Sequence, residues 1–317
     1  MNRGGHATAE PGGVRAKKGS GENYVLPNPG RRYIPASRKT DMRCISSELF
    51  SDASALEQGT LLGDYASVVF FSLGLEPSVL VGAASRLASH GPVALVDSYG
   101  IVGFDRTRAK NVELMEKGRG RQYGGVGGDG GSGVVAACFS GRFAFAYDRL
   151  PEGATSHLVA LGSDRGTLVA KSPVPYYGGR AKATYRFDPG VEAFLPVPLI
   201  AVSTLPSAQS SVGVTSFTSD ANGATSALLA LMPKGHAPQA VALFPCFMRG
   251  KNEYGKNDVE PDAISELLPG VPIFGMFCHG ELGPKRCLGF DPGEVGPSAC
   301  SEHSMTSILA VHTTATG

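Results

Sequence analysis

The 317-residue chain contains no tryptophan, and charged residues make up only 18% of it, below the ~25% of ordinary soluble domains. No apolar run approaches the ~20 residues that a membrane helix needs, and no basic-then-apolar leader points to secretion. The expected compartment is therefore the cytoplasm, with the nucleus as the alternative, and no membrane partner is expected. The six cysteines, Cys44, Cys138, Cys246, Cys278, Cys287 and Cys300, form no Cys-x-x-Cys pair. That spacing removes zinc ribbons and thioredoxin-type motifs and leaves free thiols as the expectation. The glycine-dominated stretch Tyr123–Gly133 lacks the Gly-Lys-Ser/Thr ending of a phosphate loop. It is followed by a strand-like run, Val134–Ser140, where a dinucleotide fingerprint needs a helix, so it reads as a loop. Neither a metal nor a cofactor is expected.

What the chain has in abundance is glycine and proline, 43 and 22 residues, which imply many turns and short elements. Net charge is +1 and unevenly spread. Residues 1–40 hold eight Lys or Arg against Glu10 and Glu22, a net of +6, and the other 277 residues sum to −5. A basic, Gly-rich segment with few large aliphatics cannot offset its ordering entropy, so residues 1–45 read as a disordered tail. The mildly acidic remainder excludes nucleic acid as a partner. Strand patterns appear at Ser67–Leu73, Val93–Val96, Val134–Ser140, Leu199–Val202, Ser211–Phe217, Ala240–Phe247, Val271–Cys278 and Ser304–His312. Helical spacing appears weakly over Ser46–Gly63, more clearly over Pro77–Ser89 and Ala224–Met232, and again over Asp258–Leu268, where Pro261 sits in the first turn. Residues 150–210 give the weakest pattern. These elements predict an α+β (mixed α/β) fold.

Two segments near the C-terminus carry chemistry. Leu243-Phe244-Pro245-Cys246-Phe247-Met248-Arg249-Gly250 runs an apolar strand into a turn with a thiol and a guanidinium. Gly275-Met276-Phe277-Cys278-His279-Gly280-Glu281-Leu282-Gly283-Pro284 does the same with a thiol, an imidazole and a carboxylate. The strand–helix–strand order between them predicts parallel neighbours whose turns emerge at one sheet edge, where open sheets place ligands. Cys246, Arg249, Gly250, His279, Gly280 and Glu281 are therefore the candidate ligand-binding residues.

These turns, with Asn257-Asp258-Val259-Glu260, Gly270-Val271-Pro272-Ile273-Phe274 and the ending His303-Ser304-Met305-Thr306-Ser307-Ile308-Leu309-Ala310, resemble the FIST C-terminal domain (F-box and intracellular signal transduction). The resemblance spans about Ala240–Val311. A looser similarity to the family's N-terminal half covers Val68–Asp105. It implies mixed sheets with flanking helices in two similar halves, with residues 46–150 as the N-terminal-like region and 151–317 as the C-terminal-like domain. It also implies a sensory or substrate-binding module of intracellular signal transduction, whose partner is a small, amino-acid-like molecule or a protein substrate. In F-box members it implies the ubiquitin pathway. Residues 1–45 hold too few large aliphatics to build an F-box, so a cullin-ligase adaptor role needs an F-box supplied from elsewhere.

No complete catalytic signature is present, and no catalytic residue is assigned. The rival reading is a cysteine hydrolase with Cys246 as nucleophile, beside His279 and Glu281, which would point the same way on an extended backbone. Set against both are plain structural roles. Cys246 would be a buried strand-end thiol, and Glu281 an acceptor for nearby backbone N–H groups.

Overall fold

The computed structural model describes residues 43–50, 56, 67–105, 108–116, 131–140, 143–162, 172, 174–205, 209–285 and 300–316. All lie in one compact unit, Ala36–Gly317. Of the expected disordered tail over residues 1–45, residues 1–42 fall outside the described residues, as do the glycine loop over 123–130 and most of the weak helix over 51–63. Arg43–Ile45 instead open strand β1 (Arg43–Phe50), in which Arg43 and Cys44 pair with Ser140 and Phe139.

Eighteen strands are described: β1 (Arg43–Phe50), β2 (Ser67–Leu73), β3 (Val93–Asp97), β4 (Gly100–Asp105), β5 (Lys110–Met115), β6 (Gly133–Ser140), β7 (Phe143–Ala146), β8 (Ser156–Leu161), β9 (Tyr176–Arg180), β10 (Ala183–Asp188), β11 (Ala193–Pro196), β12 (Leu199–Thr204), β13 (Ser210–Phe217), β14 (His236–Pro245), β15 (Ile273–Met276), β16 (Glu281–Pro284), β17 (Cys300–His303) and β18 (Ser307–Ala315). Among the described residues, helices of seven residues or more are Val81–Leu87, Ala221–Leu231 and Val259–Leu267.

The α+β expectation is overturned. Of the described residues, 51% lie in strands and 17% in helices, so the protein is mostly sheet. The reason lies in segments whose pattern is weak. β4, β5 and β9–β11 are short runs interrupted by Gly, Pro or charge and β7 has only four residues, and they become strands through their partners rather than through their own periodicity. Ser46–Phe50 likewise belongs to β1, not to a helix, because β6 and β4 flank it and pair with it.

One sheet runs in the order β11-β10-β3-β2-β6-β1-β4-β15-β14-β18-β13, with β5 hairpinned onto β4; the second runs β17-β16-β9-β8-β12-β7. Both sheets contain strands from before and after residue 150, the smaller one only through its edge strand β7. The sheets face each other across the principal core. Val69, Phe71, Val135 and Phe139 of the larger sheet pack there with Leu158, Tyr177, Ile200 and Val202 of the smaller. The opposite face of the larger sheet is covered by helices, with Leu228 and Ile264 meeting Val241, Leu243 and Leu309. Ala221–Leu231 begins at Asp220, whose carboxylate accepts from Gly223 N at 2.8 Å, a standard N-cap.

β14 and β15 are parallel, in register from Val241↔Ile273 to Leu243↔Gly275, and the Val259–Leu267 helix lies between them in sequence. The pairing continues past both strand ends as a Cys246↔Cys278 bridge. The two chemistry-bearing turns therefore leave the sheet side by side. No helix among the described residues is long and apolar enough to cross a membrane.

Candidate functional site

Cys246 and Cys278 face each other at the strand ends. Cys278 N donates to Pro245 O and Phe247 N donates to Cys278 O, each at 2.8 Å. From there β16 starts at Glu281 and enters the smaller sheet between β17 and β9. Gly280 makes the change of direction at φ +115°, and a Cβ there would land on the Glu302 carboxylate. The reversal has a consequence for the two residues it separates. His279 is exposed, while Glu281 is 0% exposed. They do not point the same way, as an extended backbone would have made them.

Glu281 sits against the Cys246 thiol, which is within hydrogen-bonding reach of its carboxyl. Thr306 donates its hydroxyl to Glu281 Oε2 at 3.2 Å, and the backbone N–H groups of Thr306 and of Glu281 itself also hold the carboxyl. Oε1 has no hydrogen-bond partner among the described residues. Burial pushes the carboxyl up to about 7. Burial, and then the neighbouring Glu281 charge, push the Cys246 thiol up to about 11. Cys278, fully buried and beside the same carboxyl, lies well above the ordinary thiol range. Reactive cysteines need an electropositive, open setting. Both of these thiols are neutral and enclosed.

Arg249 is turned elsewhere. It is 1% exposed, and its guanidinium forms a salt bridge to Glu260 at 2.7 Å. It also donates to Met305 O at 3.2 Å, to Thr218 O and to the Tyr254 hydroxyl. Glu260 is further satisfied by Ser307 Oγ at 2.7 Å and Tyr254 Oη at 2.8 Å. This candidate ligand-binding residue instead ties the turn to the Val259–Leu267 helix and to the segment before β18. Gly250 completes this turn at φ +63°, where a Cβ would sit 3.0 Å from Met115 Sδ and 3.1 Å from Glu113 Oε2.

Glu113 is a second buried acid that the sequence reading did not single out. Its Oε2 accepts from Asp258 N at 3.1 Å, and its own N–H donates to Asp258 Oδ1 at 2.7 Å. Its Oε1 has no partner among the described residues. Burial, then the Glu260 charge, push it up to about 8. Asp258 also binds Lys110 at 2.7 Å.

On the outer side, the His279 ring lies 5.2 Å from Phe247 and 6.0 Å from Tyr99, and Lys182 Nζ stands 5.5 Å over Tyr99. Lys182 also reaches Glu116 at 3.2 Å and Asp97 at 3.9 Å, and Arg180 pairs with Glu302 at 3.0 Å. The structure thus brings Cys246 and Glu281 together inside, leaves His279 outside among aromatic and charged side chains, and commits Arg249 to Glu260. Tyr99, Lys182 and Arg180 precede the first motif residue, Leu243, by 61 residues or more in sequence, so nothing in the motif could have named them. Thr306 and Glu260, by contrast, stood inside the motif. Among the described residues no group of three or more His, Cys, Asp or Glu is placed to hold a metal ion.

No protein-family model matches the chain. F-box only protein 22 of Homo sapiens and of Pongo abelii are each 36% identical to it over 77 residues, 22% of this chain. An uncharacterized protein of Mycobacterium tuberculosis is 40% identical over 47 residues, 15% of this chain and 12% of its own length. The matched stretch spans 18% of the length of F-box only protein 22. The chain is thus locally similar to an F-box protein.

Proposed function

We propose that this chain is a FIST-type recognition module that binds a protein substrate and, joined to an F-box, presents it for ubiquitination in intracellular signalling. The observation that carries the reading is the local similarity to F-box only protein 22. The chemistry of the site supports binding over turnover. A nucleophile must be exposed and ionisable near neutral pH with a base in reach, whereas Cys246 is 4% exposed and raised to about 11. A protein partner is favoured over a small zwitterion because Arg249 is already neutralised by Glu260 and has no donor to spare for a ligand carboxylate. The contact surface is the outer group of His279 and Tyr99, with Lys182 beside them, since aromatic side chains at a partly exposed patch are enriched at protein interfaces and among their hot spots.

The test joins an F-box segment to the full chain and compares protein abundance in cells with and without proteasome inhibition. At least one protein should fall several-fold, recover with the inhibitor, and remain unchanged when the fusion carries Tyr99→Ala and His279→Ala. The proposal is wrong if no protein falls. It is also wrong if the isolated chain hydrolyses esters or amides and Cys246→Ser removes that activity, which would establish the hydrolase.

A further inference from the structure

β5 lies against the start of the Val259–Leu267 helix and holds it through side chains. Glu113 N–H donates to Asp258 Oδ1 at 2.7 Å, and Asp258 N–H donates back to Glu113 Oε2 at 3.1 Å. Lys110 reaches Asp258 at 2.7 Å and Asp262 at 3.8 Å. Asn111 donates to Ser265 Oγ at 2.9 Å, further along the helix. The helix has no side-chain cap of its own, because the Asp258 carboxylate that would supply one is turned to β5. Asp258 also sits at φ +66°, a region that a non-glycine residue occupies only when its surroundings hold it there. The helix start thus depends on β5 for its position.

The carboxyl at the centre of this contact is set against ionising. Glu113 is 2% exposed, and its Oε1 has no hydrogen-bond partner among the described residues. The charged groups acting on it from the helix segment are acids, Glu260, Asp258 and Asp262. Tyr254 is within electrostatic reach from the short helix Lys251–Tyr254. Two cations stand close by and are committed to other acids, Arg249 to Glu260 and Lys110 to Asp258, each at 2.7 Å. Burial and the Glu260 charge outweigh the Asp258 N–H, which favours the ionised form, and push the carboxyl up to about 8. We infer that this junction is a proton-operated latch: protonated Glu113 holds the helix start against β5, and loss of its proton to solvent opens the junction locally while the sheets stay paired. An ionised Glu113 would add a further carboxylate to an enclosed group of acids, and parting β5 from the helix is the motion that gives it water. β5 lies off the main strand order, hairpinned onto β4, so it can part from the helix without breaking that order. Opening also loosens the Cys246–Gly250 turn, because Glu260 of the helix holds Arg249 and the turn carries Phe247 against His279. The latch stands whether or not the outer group around His279 binds a partner.

The open junction exposes Glu113 much as the unfolded chain does, which fixes the sign of the pH effect. The opening constant rises once pH passes the ordinary glutamate value of 4.5 and levels off at about 8, by up to ~10-fold per pH unit between them. Amide hydrogen exchange of the full chain from pH 5 to 9, corrected for intrinsic amide rates, reads this directly. Peptides covering residues 110–116 and 258–268 should lose protection at about that slope up to pH 8 and no further. They should exchange faster than β18 at every pH and respond little to urea below the unfolding transition, the marks of local opening. Glu113→Gln keeps an uncharged acceptor for the Asp258 N–H and should hold both peptides at their pH 5 protection throughout. Should that variant fold poorly, carbon-13 NMR titration of the unaltered chain decides, with the Glu113 carboxyl expected to ionise well above the ordinary glutamate range. The inference is overturned if protection of the two segments does not change with pH, or changes only in step with β18 and with the same urea dependence. A slope that survives in Glu113→Gln, or a Glu113 carboxyl that ionises in the ordinary range, overturns it as well.

Discussion

Glu113 and Glu281 each hold a carboxyl in a buried setting with one oxygen unpartnered among the described residues, and both are raised, to about 8 and about 7. The folded chain keeps these protons after the unfolded chain has released them near 4.5. Stability therefore declines as pH rises from about 4.5 towards 7 for Glu281 and towards 8 for Glu113, with a slope of up to ~1.4 kcal/mol per pH unit for each group. Urea unfolding from pH 5 to 9 should show this decline. Glu113→Gln should flatten the part that extends to pH 8, and Glu281→Gln the part below about 7. An equal slope in the wild type and both variants would show that neither carboxyl is held protonated. None of this was legible from single residues. In the sequence Glu281 stood as a ligand-binding candidate or as an acceptor for backbone N–H groups, but its burial comes from β16 entering the second sheet. Glu113 stood in a stretch with no apolar pattern and gave no signal at all.

At the level of elements, the parallel β14–β15 pair and the helix between them were readable because their apolar runs are continuous and bounded by Gly and Pro. The direction of Arg249 was not. A guanidinium in a strand-end turn is equally suited to a ligand or to a neighbouring acid, and the deciding partner, Glu260, is positioned by the helix that follows Asp258. Asp258 itself adopts φ +66°, which lets it receive the Glu113 N–H while its own N–H meets the Glu113 carboxyl. Arg249 therefore clamps three elements. Arg249→Ala should cost about 3–5 kcal/mol, the usual loss when one member of a buried pair is removed. Replacing Arg249 and Glu260 together with Met and Leu should restore much of it. Denaturant midpoints would check both. A near-neutral Arg249→Ala would mean the guanidinium is not committed to the fold and is available for a ligand.

At the scale of the whole molecule, class was misread because helix and strand signals were weighed segment by segment. The strands of residues 143–204 are four to six residues long and mutually dependent, so the information that makes them strands lies in their partners. The same dependence makes the sheet vulnerable at its interior positions. β18 lies between β14 and β13, pairing with both along nearly its whole length. Deleting residues 307–317 would strip both neighbours of a partner and uncover Leu243, Val241 and Phe244, all fully buried. The truncated chain should fail to give a cooperative melt and should collect in the insoluble fraction. A soluble truncation with a sharp transition would show that β13 and β14 can re-pair without it.

The position of β18 also sets an order on synthesis. Translation reaches it about 60 residues after the end of β14, roughly 3–12 s later at ordinary elongation rates. During that interval β13 and β14 have emerged with a strand-wide gap between them. The nascent chain is then an open template for any extended peptide nearby. Slow codons or a pause in that window would lengthen the exposure, and a chaperone that shields β-edges would have its greatest effect on this protein before the ribosome has finished it.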